Sequence, residues 1–167
     1  MLLSKKTAVI TGCNKGIGRA VLEEFSQNGA NIFACTRKID DEFNSLIKNL
    51  QEKNGNSIYP IQMDLSNEKE IADGAKTILS RELPIDILIN NAGLVFSSIF
   101  QMTSQSKFRE MFDINFHSQI LLTQFIIKSM IKNKRGKIVF ISSTSGIDGN
   151  EGRSAYVASK AAIIGQA

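Results

Sequence analysis

Tyr156 and Lys160 lie four residues apart in Ser-Ala-Tyr-Val-Ala-Ser-Lys-Ala-Ala, and Ser143 stands thirteen residues before the tyrosine. On a helix, positions i and i+4 share a face, so the Lys160 ammonium can lie beside the Tyr156 phenol and favour its ionised form. A free phenol titrates near pH 10, so proton transfer at neutral pH needs a shift of about three units, or roughly 4 kcal/mol. A unit charge at about 4 Å supplies that much only at an effective dielectric of about 20. Lysine alone is barely sufficient. A second positive charge nearby, such as an oxidised nicotinamide ring, would close the gap, so the pair already suggests its cofactor.

The elements that must hold these groups alternate between β-branched runs and amphipathic helices. Thr7 to Thr11 reads as a strand, Ile17 to Asn28 as a helix stopped at Gly29, and Asn31 to Cys35 as a second strand. Phe43, Leu46, Ile47 and Leu50 mark a helical face, with Asp40 or Asp41 as N-cap and Gly55 past the end. Ser57 to Met63 follows as a strand, and Pro60, which lacks a ladder donor, predicts that it lies at a sheet edge. A helix from about Asn67 to Glu82 opens with Asn67 and Glu70 in capping-box spacing, and Ile85 to Asn90 is an apolar strand. A long helix from about Ser104 to Asn133 and a fifth strand, Lys137 to Ser142, complete the pattern. Five such units predict one doubly wound α/β domain, a parallel Rossmann-like sheet ordered 3-2-1-4-5 with helices on both faces. Its ligand crevice lies at the strand carboxyl ends.

Composition narrows the function classes. The 167 residues are 43% hydrophobic and 22% charged, ordinary for one globular domain. A net charge of +4 with few aromatics among the basic residues argues for solvated helix faces and against a nucleic-acid surface. Cys13 and Cys35 have no metal-site spacing and fit free thiols in a reducing cytoplasm, and no metal is expected. No apolar run approaches membrane-spanning length. Cys13 is read as an inert small loop residue, and the lone His117 as structural.

The first strand runs directly into Thr11-Gly12-Cys13-Asn14-Lys15-Gly16-Ile17-Gly18, after which a helix begins. Glycines let a backbone approach a pyrophosphate, whose charge is met by the helix N-terminus. The spacing G-x-x-x-G-x-G departs from the general G-x-G-x-x-G dinucleotide fingerprint. The acid that usually reads a ribose 2′-hydroxyl at the end of the second strand is replaced by Thr36-Arg37-Lys38. Arg37 with Lys15 could clamp a 2′-phosphate, which predicts NADPH over NADH, although Asp40 or Asp41 could yet reach a ribose.

Together these residues resemble the short-chain dehydrogenase/reductase family over the whole chain. The glycine loop, Asn90-Asn91-Ala92-Gly93 after the fourth strand, Asn115, Ser143, and Tyr156 with Lys160 occur in the family's order and spacing. The resemblance implies a catalytic tetrad of Asn115, Ser143, Tyr156 and Lys160. Tyr156 would act as acid in reduction and base in oxidation, Ser143 would hydrogen-bond the substrate oxygen, Lys160 would also hold the nicotinamide ribose, and Asn115 would kink its helix and anchor a water leading to Lys160. Asp64 with Leu65 matches the position at the adenine edge, and Asn91, Ala92 and Gly93 the adenosine ribose.

Within the family the pattern is most similar to 3-oxoacyl-[acyl-carrier-protein] reductases, and Lys128, Lys132, Lys134 and Arg135 could dock an acidic carrier protein. The alternatives are a reductase of another ketone, sugar, steroid or quinone, and a non-catalytic NADP-binding module. The resemblance also implies homodimers or homotetramers through the long helix and the Tyr156 helix, and a C-terminal part, two strands and a substrate lid, beyond the residues present.

Overall fold

The computed structural model describes residues 1–166. It contains a five-stranded parallel sheet of β1 (Thr7–Thr11), β2 (Asn31–Thr36), β3 (Ile58–Gln62), β4 (Ile87–Asn90) and β5 (Lys137–Phe140), ordered β3-β2-β1-β4-β5. The expected order is therefore the observed one. β3 is an edge strand, paired only with β2, and Pro60 sits opposite Ala34 where its missing donor leaves no gap in the sheet's interior.

Helices α1 (Gly16–Gln27), α2 (Asp41–Asn54), α3 (Glu68–Leu79), α4 (Gln105–Phe112), α5 (Ser118–Lys132), α6 (Ser145–Asp148) and α7 (Ser154–Gln166) join and cover the strands. The side chains of β1 and β2 alternate between two cores. Val9, Phe33 and Cys35 pack with Ile71, Ile78, Leu122 and Ile126 on one face, and Ile10, Ile32 and Ala34 with Leu22, Phe43 and Ile47 on the other. No helix of the described residues is long and apolar enough to cross a membrane.

Local signals set several boundaries. Asp40 caps α2 by accepting from Phe43 N at 2.9 Å, and Gly55 ends it in the left-handed conformation at φ 69°. Asn67 caps α3, but Glu70 does not close the expected box. Its carboxylate instead accepts from Asp64 N at 2.9 Å, fastening the turn after β3 to the helix. The α3 helix also stops at Leu79, short of Glu82, which takes φ 54° in the turn that leads to Pro84.

The largest departure concerns the long helix. Ser104 caps α4, yet between α4 and α5 the backbone widens into a π-turn, Asp113–His117, with Asn115 at its centre and wholly buried. Single π-turns inside α-helices commonly mark functional sites, because they redirect one side chain without ending the helix. The β4 ladder is shorter than the apolar run as well. Ile85 and Asp86 precede it, and the Asp86 carboxylate, 5% exposed, joins Thr7 N at 3.0 Å, Lys6 Nζ at 3.4 Å and Arg135 Nε at 2.8 Å at the amino ends of the strands.

Candidate active site

Cysteine and glycine shape the loop after β1. Gly12 N and Cys13 N both donate to Cys35 O, at 2.9 and 3.1 Å, so the loop folds over the end of β2. Gly12 and Gly16 adopt φ 74° and 57°, which favour glycine. A Cβ on Gly18 would collide with Gly12 O and the Asn91 amide. The N-cap of α1 is Lys15, extended and without a side-chain cap bond, and the first turn holds no acid. The amides of the first turn thus have no side chain competing for them, and Asn14, Lys15, Gly16 and Ile17 are exposed around them. This cradle fits a pyrophosphate.

Next to it, the ends of β2 and β3 bring Arg37 and Asp64 together. Arg37 is exposed and has no ion pair among the described residues, so its guanidinium fork is free. The Asp64 carboxyl is held below the ordinary carboxylate range, chiefly by the Ser66 N–H at 2.8 Å and secondarily by the Ser66 hydroxyl and the Arg37 charge, against a partial burial that raises it. Asp40 is exposed and uses one carboxylate oxygen, Oδ1, to cap α2. Leu65 packs its side chain against the core on the α3 side. The Cys13 thiol, wholly buried and donating to Ile10 O at 3.1 Å, is pushed well up by that burial and is inert.

The segment leaving β4 connects the loop to the catalytic side. Thr11 Oγ1 accepts from both Asn91 N and Ala92 N at 3.0 Å, and Asn91 Nδ2 donates to Thr11 O at 2.8 Å. Asn115 grips the same segment two residues on: its Oδ1 accepts from Leu94 N at 2.7 Å and its Nδ2 donates to Leu94 O at 2.9 Å. That Nδ2 also donates to Ser159 Oγ at 3.0 Å, and Ser159 Oγ donates to Tyr156 O at 2.7 Å. Ser159 lies between the tyrosine and the lysine on α7 and is wholly buried. Its role was not read from the sequence, since a serine in a helix carries no sign of the amide it will meet.

Lys160 is 4% exposed, and Nζ donates to Ile141 O at 2.7 Å at the end of β5. Burial lowers its pKa from the usual lysine value. A Cβ on Gly93 would stand 3.2 Å from Asn115 Oδ1 and 3.5 Å from Lys160 Nζ, so glycine there keeps the space between them open. The two serines after β5 divide their work. Ser142 Oγ donates to Lys160 O at 2.7 Å, pinning α7, whereas Ser143 Oγ accepts from Ser145 N at 3.2 Å. The thirteen-residue spacing thus singles out the serine that is not consumed in fastening the helix.

Asn115, Gly93, Lys160, Ser142 and Ser159 form one connected group at the carboxyl ends of β4 and β5, with Tyr156 attached through Ser159. His117 lies apart, 62% exposed and 3.2 Å from Asp113. Arg135 Nε pairs with Asp86 at 2.8 Å, while Lys128, Lys132 and Lys134 have no ion pairs among the described residues.

The short chain dehydrogenase family model matches residues 6–167. The 3-oxoacyl-[acyl-carrier-protein] reductase FabG of Buchnera aphidicola subsp. Schizaphis graminum is 34% identical over 165 residues, covering 99% of this chain and 66% of that protein. The Aquifex aeolicus protein of the same name is 32% identical over 98% of this chain and 65% of its own length. The chain therefore spans just under two thirds of these relatives. Among solved structures, L-sorbose reductase from Gluconobacter frateurii, in complex with NADPH and L-sorbose, superposes with a TM-score of 0.93 at 25% identity, over 98% of this chain and 62% of that one.

Proposed function

This chain belongs to the short chain dehydrogenase family, and from that premise we propose that it forms the cofactor-binding and catalytic part of an NADPH-dependent reductase that converts a carbonyl to an alcohol. The observation that carries the reading is the convergence of Asn115, Gly93 and the buried Lys160 ammonium beside the helix that bears Tyr156. Bound NADPH supplies the hydride. Gly12, Asn14, Lys15, Gly16, Ile17 and Gly18 hold its pyrophosphate, and Arg37 with Lys15 its 2′-phosphate. Asp64 and Leu65 meet its adenine, and Asn91, Ala92 and Gly93 its adenosine ribose.

Tyr156 gives its phenolic proton to the substrate oxygen as negative charge develops there, and in the reverse direction takes it back. Ser143 donates a hydrogen bond to the same oxygen. Lys160, through its charge, eases loss of the phenolic proton, and the positions of Asn115 and Ser159 hold α7 where that charge is effective. Burial disfavours the ammonium, so the Ile141 carbonyl at 2.7 Å is part of what keeps it protonated.

The substrate favoured is a 3-oxoacyl thioester carried on an acidic acyl carrier protein, supported by the activity named for the Buchnera and Aquifex relatives and by the free lysines Lys128, Lys132 and Lys134. A second reading, a polyol or sugar ketone, is supported by the likeness to L-sorbose reductase. Copies associate as dimers or tetramers through the long helix, α4 with α5, and the Tyr156 helix α7. A cavity of about 400 Å³ beside α4, lined by Phe100, Phe108 and Phe112 with Arg109, Asp113 and His117, and the exposed Ile131 offer surface for this. A cytoplasmic setting fits the unpaired thiols of Cys13 and Cys35.

NADPH oxidation measured with acetoacetyl-[acyl carrier protein], L-sorbose and simple ketones tests the choice. The thioester should lead in kcat/KM by at least about tenfold, a transition-state preference of roughly 1.4 kcal/mol. A lead for the sugar establishes the second reading instead.

A further inference from the structure

Two more side chains on α5 repeat the action of Asn115. Asn115, Gln119 and Thr123 follow one another at intervals of four, and each meets the segment leaving β4 at intervals of two. Thr123 Oγ1 accepts from Asn90 Nδ2 at 3.0 Å, Gln119 Nε2 donates to Ala92 O at 2.8 Å, and the Asn115 amide brackets Leu94. Four α-helical residues advance about 6.0 Å and two extended residues about 6.6 Å, so Gln119 and Thr123 on α5 stay in step with the segment, and Asn115, in the π-turn before α5, adds the third rung. The chain directions oppose: the later residue on the helix meets the earlier one on the segment.

This ladder is a poor device for stability. Asn90 and Asn115 are wholly buried and Gln119 is 1% exposed. Asn90 Oδ1 and Gln119 Oε1 have no hydrogen-bond partner among the described residues, and an unpaired buried acceptor opposes folding. An unbranched apolar side chain of similar volume would fill the site of Gln119 without that penalty. What the polar version adds is direction, because hydrogen bonds fix both the height and the rotation of the segment they hold.

We propose that Gln119 and Thr123 are positioning residues that, with Asn115, lock segment 90–94 to α5 and so set the turn Asn91–Gly93 relative to Lys160. The proposal rests on the reading of that turn as lining NADPH. Thr11 holds the turn from the glycine-loop side and Gln119 from the helix side, so the cofactor loop and the proton-transfer group share one rigid connector.

Gln119→Met keeps the volume and removes the donor, while Gln119→Glu restores a donor to Ala92 O only when its carboxyl is protonated. The Gln119→Met protein should unfold within about 4 °C of the wild type. Its NADPH dissociation constant, read from cofactor fluorescence, should rise about tenfold, about 1.4 kcal/mol, with faster amide exchange at residues 91–94. Gln119→Glu should bind weakly at about pH 8 and recover toward the wild type at about pH 6, and Thr123→Val should show a rise of about threefold, as for one weaker hydrogen bond. Wild-type NADPH affinity in Gln119→Met overturns the proposal. So does a joint loss of stability and affinity without pH-dependent recovery in Gln119→Glu, the mark of a purely structural role. If Gln119→Met does not fold, the two pH values within Gln119→Glu decide. If the wild type binds no NADPH, the cofactor reading itself fails, and unchanged exchange at 91–94 in Gln119→Met separately removes the ladder.

Discussion

The glycine-loop side of the sheet and the proton-transfer side are built by different means. On the first, β1 is buried along its whole length, β2 almost so, and the loop is shaped by backbone bonds to Cys35 O and by glycines at positive φ. On the second, no residue of β5 is fully buried, Val139 is 42% exposed, and the site is assembled by side-chain hydrogen bonds such as Asn115 to Ser159, 44 residues apart. Backbone shape tolerates no added atoms, whereas side-chain contacts can be exchanged singly. The two sides should therefore fail differently when altered, the first in cofactor binding and the second in chemistry.

Tyr156→Phe tests the second side most sharply. It should lower kcat by about a thousandfold, the range for losing a general acid, with NADPH affinity within about twofold of the wild type, less than 0.5 kcal/mol. Residual turnover within about tenfold would assign the acid elsewhere. Gly18→Ala tests the first side, since its methyl must displace Gly12 O or Asn91. Overpacking of this kind costs about 1–3 kcal/mol, and NADPH titration should show a loss of affinity of up to about a hundredfold with the fold retained by circular dichroism.

Arg37→Asp should weaken NADPH by about ten- to a hundredfold, the value of a charge-assisted contact to phosphate, while NADH binding stays level. Equal effects on the two cofactors would remove Arg37 from 2′-phosphate recognition.

The smallest effect expected is on stability. Lys160 has its pKa lowered in the folded state, so below that pKa the buried ammonium destabilises the fold, and the destabilisation is relieved as pH rises through it toward the ordinary lysine value. Lys160→Met, though inactive, should melt about 2 °C higher than the wild type near pH 7, with the gap narrowing in alkali. A variant that melts lower at every pH would show that the bond to Ile141 O outweighs the burial of charge.

Legibility in the sequence follows the same division. The caps at Asp40 and Asn67, the stop at Gly55, the edge position of Pro60 and the glycine loop each depend on a few neighbouring residues, and each lies where local chemistry puts it. The π-turn around Asn115, the Glu70 bond to Asp64 N and the capture of Arg135 by Asp86 answer to residues far along the chain or across a turn, and no local pattern announces them.

What the sequence by itself determined is the doubly wound sheet, the order of its strands and the spacing of Ser143, Tyr156 and Lys160, because strand and helix periodicity, proline and glycine act through the backbone of their own segment. Only the tertiary structure decided which polar side chains hold those groups in place: Ser142 rather than Ser143 on the α7 backbone, Ser159 on Asn115, and Gln119 on Ala92. A hydrogen bond between buried side chains exists only once packing has brought both partners within about 3 Å, and that closeness belongs to the fold rather than to either residue.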